Sequence, residues 1–185
     1  MIDGHTHLLQ GHLRRRVEDI KDINLTELFG RMDEIGIEKI VTLSQEMRRV
    51  YKTWLGSNEI TIDLQEKFPE RIVGIFGAEP LDERDMFNAK RLKVLKSAIV
   101  EHGARGICLT PPYGHYYAND RRVYPFYEMA VELDIVIYFH HAGGVGGGET
   151  YQAPLKYARS ILLDDIVIDF PDLRINVEPY GLSLN

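Results

Sequence analysis

The chain has 185 residues, of which 44% are hydrophobic and 27% charged, with a formal net charge of −6, and this length suits a single domain covering residues 1–185. The acidic balance argues against a nucleic-acid-binding or anionic-membrane surface, and no apolar run approaches the roughly 18–20 residues that cross a bilayer. The start lacks the basic and apolar regions of a secretory signal, and the single cysteine, Cys108, allows no internal disulfide, so we expect a cytoplasmic protein.

The first seven residues are a short apolar start that leads into a His-x-His pair. Side chains alternate between the two faces of a strand, so His5 and His7 are predicted to point to one side and Thr6 to the other. Two neutral imidazoles on one face can bind a first-row divalent ion. A pair of surface histidines near a terminus is the simpler alternative.

A polar segment at residues 12–22 is predicted to be a loop, and helices and strands alternate after it. Asn24 and Glu27 have the spacing of a capping box, Gly36 is a helix stop, and Pro69 ends the next helical pattern. These patterns predict helices at 24–35, 58–68, 86–101, 122–133 and 154–170, and strands at 1–7, 37–43, 71–77, 106–109, 135–139 and 173–178. The strand starts lie about 30–38 residues apart, which is the length of a βα unit, and the strands are apolar, as buried parallel strands are.

Polar side chains lie at the carboxyl ends of the predicted strands. They are His5, His7, Ser44, Gln45, Glu79, Thr110, His140, His141 and Glu178. An open, doubly wound sheet would keep histidines of the first and fifth strands far apart, whereas a barrel brings all the carboxyl ends to one mouth. We therefore predict an α/β fold of the (β/α) TIM-barrel type.

Several stretches of the chain are weak family signals when taken singly, but their combination is specific. They are Ile2 to His7, Gly106 to Pro112, Asn119-Asp120 with Tyr124 to Glu128, the strand into His140, and Asp169 to Ile175. Together they resemble the amidohydrolase superfamily. The nearest branch is the one that includes aminocarboxymuconate-semialdehyde decarboxylase and similar metal-dependent decarboxylases.

The resemblance implies one divalent metal ion, with zinc expected, at the mouth of the barrel. His5 and His7 match the first-strand metal ligands of the family, and His140 matches the fifth-strand ligand, with His141 as a second candidate. Cys108 stands where other members carry a lysine that bridges two metals, so the resemblance implies a single ion.

The last residues of the chain depart from the family pattern. Pro179 stands where the family has its acid/base histidine, and the sequence ends at Asn185 before the family's late aspartate, which leaves Glu178 as a weak candidate for proton transfer. We therefore expect an incomplete barrel with strands 1 to about 6 of 8. Its open sheet edges would require self-association into a homo-oligomer, exchange of elements between chains, or partial disorder.

The function implied is hydrolysis of a small-molecule substrate by a metal-activated water. One alternative is a metal-dependent decarboxylase of an unsaturated or aromatic carboxylic acid, and another is a catalytically inactive barrel that only binds metal or self-associates. Arg48 and Arg49 are weak candidates for holding a substrate carboxylate, although an exposed loop pair is the simpler interpretation. Tyr113, His115 and His141 are weak candidates for lining the mouth.

Overall fold

The computed structural model of the chain describes residues 1–8, 24–141 and 153–177. The predicted loop at 12–22 and the two residues Glu178 and Pro179 lie outside these ranges. Within the ranges, no helix is long and apolar enough to cross a membrane.

Most strands of the described chain belong to one parallel sheet. In chain order the strands are β1 (Ile2–Thr6), β2 (Lys39–Leu43), β3 (Gln45–Met47), β4 (Thr53–Leu55), β5 (Ile72–Ala78), β6 (Gly106–Leu109), β7 (Val136–Phe139) and β8 (Arg174–Val177). The parallel sheet has six strands in the order β1-β2-β5-β6-β7-β8, and β3 pairs with β4 as a separate antiparallel hairpin. The hairpin was not predicted, because strands of three residues are too short to show a periodic pattern.

The parallel sheet curls into an incomplete barrel. The strands β2, β5 and β6 separate β1 from β7, so in a flat sheet β1 and β7 would lie about 19 Å apart. The ring centroids of His5, on β1, and His140, directly after β7, are nevertheless only 6.3 Å apart. This curvature confirms the predicted incomplete (β/α) barrel.

Helices connect most of the parallel strands. They are α1 (Leu25–Glu34), α2 (Arg48–Tyr51), α3 (Asn58–Lys67), α4 (Ala89–His102), α5 (Pro111–Gly114), α6 (Tyr124–Glu132) and α7 (Leu163–Asp169), with 3-10 turns at Leu155–Tyr157 and Ser160–Leu162. Asn24, Ser57 and Asn88 each accept a hydrogen bond from the backbone N–H three residues further on, at the starts of α1, α3 and α4. These caps satisfy N–H groups that the helices themselves leave without a partner.

Two predicted helices begin three or more residues later in the structure. The helix predicted at 86–101 begins at Ala89, because the preceding residues form a turn in which the Asp82 carboxylate accepts backbone N–H groups. The single helix predicted at 154–170 is wrong in its first half, which forms the two 3-10 turns. The ring of Tyr157 contacts aromatic side chains near the mouth of the sheet, and this tertiary contact outweighs local helical preference.

Both faces of the parallel sheet are buried. On the inner face, Cys108 of β6 and Tyr138 of β7 pack with Ile75 of β5. On the outer face, Ile107 and Phe139 belong to the larger core that the sheet forms with the helices. Because side chains alternate, residues that follow Tyr138 at intervals of two are directed to the inside of the barrel.

Candidate metal centre

Two imidazoles converge at the carboxyl end of β1. The Nε2 atoms of His5 and His7 are 3.0 Å apart, and the rings meet edge to face. The Nδ1 atom of His7 lies 2.9 Å from the carbonyl oxygen of Leu43. Because a carbonyl oxygen can only accept a hydrogen bond, Nδ1 of His7 carries the proton and Nε2 carries the lone pair. The neighbouring strand β2 therefore holds His7 with its lone pair directed at His5.

His140 joins this pair from the other side of the barrel mouth. Its backbone N–H donates to the Leu109 carbonyl at 2.9 Å, so the chain still follows the sheet one residue past β7. Its ring centroid is 6.3 Å from that of His5 and 6.2 Å from that of His7. Ring nitrogens of all three histidines lie within 4.8 Å of one another. The structure thus brings together the three histidines that the sequence singled out.

The donor set fits a first-row divalent ion. Nitrogens at about 2.0–2.1 Å from a tetrahedral zinc lie about 3.3–3.4 Å apart, close to the 3.0 Å between the Nε2 atoms of His5 and His7. Imidazole nitrogen suits zinc, copper, iron and nickel better than calcium or magnesium. Three protein ligands could hold such an ion and leave a coordination position for water or substrate.

His141 does not join the cluster. Its side chain is fully buried, and its ring lies 5.6 Å from that of Phe139, which belongs to the core between the sheet and the helices. Successive residues of an extended chain face opposite sides, so His140 and His141 point away from each other. His140 is therefore the one of the two that faces His5 and His7.

The two arginines lie in the short helix α2, directly after β3, so they are not in a loop, and of the two only Arg48 is exposed. Arg48 donates from Nε to Glu46 at 2.7 Å and stacks over the Trp54 ring at 3.9 Å. Arg49 forms an ion pair with Asp85 at 3.1 Å and also donates to the Gly114 carbonyl. Its side chain is only 15% exposed. Both guanidinium groups thus connect elements around the mouth, and a role in holding a substrate carboxylate stays a prediction.

Aromatic side chains form a wall beside His140. The Tyr113 ring, on α5, lies 5.5 Å from the His140 ring and 6.1 Å from the Tyr51 ring. The Nε2 atom of His115 lies 3.3 Å from the Tyr51 hydroxyl oxygen. The His115 ring stacks on the Tyr157 ring at a centroid distance of 5.7 Å. Tyr113 and His115 therefore pack against other rings beside His140, and a role for them in binding substrate stays a prediction.

Two buried polar residues at the start of β3, Gln45 and Glu46, had no predicted role. Gln45 is 2% exposed. Its amide nitrogen Nε2 lies at a distance of 2.7 Å from Nδ1 of His140. The Glu46 side chain is 1% exposed and forms ion pairs with Arg48 at 2.7 Å and Arg91 at 2.8 Å. A polar stretch after an apolar strand was the available sequence signal, but His140 and Arg91, which this pair contacts, lie 95 and 45 residues away along the chain.

Glu79 follows β5 directly at the same end of the sheet. Burial raises the pKa of its carboxyl group, the Arg49 backbone N–H that donates to it at 2.8 Å lowers the pKa, and the nearby Glu46 carboxylate raises it. The net effect is a raised pKa. Glu79 therefore keeps its proton to a higher pH than an exposed glutamate does.

The substitution Glu79→Gln is expected to weaken the pH dependence of stability. The folded-state pKa of Glu79 lies above its ordinary value of 4.5, so its contribution to stability is fully present below pH 4.5 and is lost as the pH rises through the raised pKa. The introduced amide would still accept the Arg49 N–H but could not ionise, so the free energy of unfolding of the variant should fall less over this range. Urea unfolding of both proteins from about pH 4 to about pH 8 measures the difference, and parallel curves would contradict the assignment.

Comparison with known proteins identifies the family of the chain. The sequence model of the family described as Amidohydrolase matches residues 2–183. The 2-keto-4-carboxy-3-hexenedioate hydratase of Sphingobium sp. is 30% identical over 135 residues, which cover 67% of this chain and 39% of that protein.

Two solved structures show the same fold at low sequence identity. An uncharacterised TIM-barrel protein from Bordetella bronchiseptica has a TM-score of 0.64 and 21% identity, over 82% of this chain and 50% of that one. The 2,6-dihydroxybenzoate decarboxylase from Rhizobium has a TM-score of 0.65 and 16% identity, over 95% of this chain and 65% of that one. The chain thus spans less than two thirds of the length of each of these relatives. Because the family model matches nearly all of its residues, the chain belongs to the amidohydrolase family.

Proposed function

We propose that the protein is a metal-dependent hydrolase of a small-molecule substrate, in which His5, His7 and His140 hold one zinc ion. The observation that carries the proposal is the convergence of their ring nitrogens within 4.8 Å at the mouth of the barrel. When bound, an ion of this kind polarises a substrate oxygen and lowers the pKa of a coordinated water to about 7.

The residues around the cluster would orient the ligands and shape the site. The Leu43 carbonyl holds the ring of His7, and the Tyr113 ring covers one side of His140. Pro179 has no titratable group, so another residue has to transfer protons during the reaction. Glu178 stays our candidate for that role.

A lyase that acts on an unsaturated or aromatic carboxylic acid is the second candidate function. The relative at 30% identity is, by its name, a hydratase of a hexenedioate, which is an unsaturated carboxylate. The Rhizobium structure is that of a decarboxylase. Release of carbon dioxide from an aromatic acid, or loss of ultraviolet absorbance from a conjugated diacid, distinguishes the lyase from a hydrolase.

Oligomeric state and location belong to the proposal as well. In the described part of the chain, β1 and β8 are the outer strands of the parallel sheet, and Ile2 on β1 is 59% exposed. A homo-oligomer would cover such edges. The sequence composition favours the cytoplasm.

Zinc content tests the proposed site. Protein produced with added zinc should contain about one ion per chain, and His5→Ala should contain almost none, because one of three ligands is removed. His102→Ala is the matched control, since His102 pairs with Glu66 on the surface at 2.7 Å and lies outside the cluster. Wild-type protein without metal, or His5→Ala with as much metal as the control, would overturn the proposal.

A further inference from the structure

The buried amide of Gln45 lies next to Nδ1 of the His140 ring, which leaves Nε2 as the ring nitrogen that could bind an ion. Gln45 Nε2 lies 2.7 Å from His140 Nδ1, across 95 residues of sequence. In this orientation the amide donates to Nδ1, so the proton of a neutral His140 ring is on Nε2. A ring in that tautomer has no lone pair on Nε2 to offer to an ion.

Rotation of the amide by 180° reverses this arrangement without changing the shape of the side chain. The rotation places the carbonyl oxygen of Gln45 against His140 Nδ1, and the oxygen can only accept a hydrogen bond. His140 would then carry its proton on Nδ1 and its lone pair on Nε2. The Leu43 carbonyl already enforces this same tautomer on His7.

We propose that Gln45 is a positioning residue that selects the metal-binding tautomer of His140 by accepting its Nδ1–H. The inference rests on the proposed function, because it concerns the same three-histidine site. A histidine ligand commonly donates its second ring N–H to an acceptor, which fixes both the tautomer and the direction of the ring. For His140 the acceptor is the Gln45 side chain, whereas for His7 it is the backbone carbonyl of Leu43.

The backbone around Gln45 is held firmly enough for this role. Gln45 begins the β3–β4 hairpin, and the next residue, Glu46, is buried and joined to Arg48 and to Arg91 of α4. The Glu46 carbonyl also accepts from the Thr110 hydroxyl at 3.5 Å. The hairpin is thus connected to α2, α4 and the end of β6, so the amide can rotate while its position relative to His140 stays the same.

Two substitutions of Gln45 distinguish whether zinc binding depends on a hydrogen-bond acceptor or on a donor at this position. Gln45→Glu keeps an oxygen acceptor and removes the donor, so zinc affinity measured by competition with a chelator should stay within about threefold of wild type. Gln45→Leu removes both, and the affinity should fall about 10–100-fold. Gln65→Leu is the matched control, because the Gln65 amide bridges the Gly74 N–H and the His102 carbonyl away from the site, and it should bind zinc as wild type does.

The outcomes distinguish this inference from the proposed function. Wild-type protein that binds no zinc overturns the proposed function itself. Wild-type protein that binds zinc while Gln45→Leu binds equally tightly, or while Gln45→Glu binds as weakly as Gln45→Leu, overturns the positioning role alone. Long-range ¹H–¹⁵N spectra of the zinc-loaded wild type provide a test that needs no variant: a proton on His140 Nδ1 is expected, and a proton on Nε2 would contradict the inference.

Discussion

His140→Ala is expected to lower zinc affinity by at least about 10³-fold, which is more than the 10–100-fold typical for loss of a residue that only orients a ligand. The reason is that His140, directly after β7, is the one histidine of the cluster that does not come from the end of β1. Without it, only the His5 and His7 nitrogens remain near the ion. Competition with a chelator measures the loss, and the proposed hydrolytic activity should disappear with the metal.

His141→Ser is the control for this substitution. The His141 ring packs on Phe139, on the opposite side of the chain from the cluster. Removal of this ring should therefore lower thermal stability but leave zinc affinity within about threefold of wild type. Equal loss of zinc in the two variants would mean that the ion depends on the fold of this segment more than on the His140 ring. Loss in His141→Ser alone would reverse the assignment of the ligand.

Gly106→Ala is expected to reduce the free energy of unfolding by about 3 kcal/mol, because overfilling a packed core forces the backbone to move. A Cβ atom at Gly106 would lie 2.5 Å from the carbonyl oxygen of Val136 and 2.6 Å from its Cγ1. The two residues are direct partners in the β6–β7 pair, so no side-chain rotation relieves the contact with the oxygen. Since β7 leads into His140, the same displacement should also weaken zinc binding.

Gly30→Ala provides a matched glycine substitution with the opposite sign. Gly30 is exposed on α1, and nothing lies within 4 Å of an added Cβ. Alanine favours the helix over glycine, so this variant should gain about 0.5–1 kcal/mol. Urea unfolding compares both variants with wild type, and a Gly106→Ala midpoint equal to that of wild type would show that β6 and β7 separate at little cost.

The element types could be predicted from the sequence because they depend on local periodicity. The strand at 106–109 has the predicted bounds, and the Asn24 cap starts α1 as its spacing with Glu27 indicated. The alternation of side chains likewise predicted that His5 and His7 share one face, and their Nε2 atoms are 3.0 Å apart. The family resemblance, carried by motifs spread along the chain, is confirmed by the match over residues 2–183.

The partners of the polar residues could not be predicted in the same way. Arg49 was interpreted as part of an exposed loop and Glu46 had no predicted role, yet Glu46 pairs with Arg91 and the Arg49 backbone N–H donates to Glu79. These contacts join residues tens of positions apart, and no local pattern encodes them. The hairpin that creates them consists of two strands too short to leave a periodic signal.

The sequence by itself determined that strands and helices alternate, and that histidines lie at the carboxyl ends of the first and fifth strands of the parallel sheet, because both depend on residue spacing alone. Only the tertiary structure decided that His140, and not His141, lies beside His5 and His7, and that the Gln45 amide contacts Nδ1 of His140. The physical reason is the curl of the sheet. It brings β1 and β7 together across three intervening strands, and it turns one face of each strand toward a shared mouth.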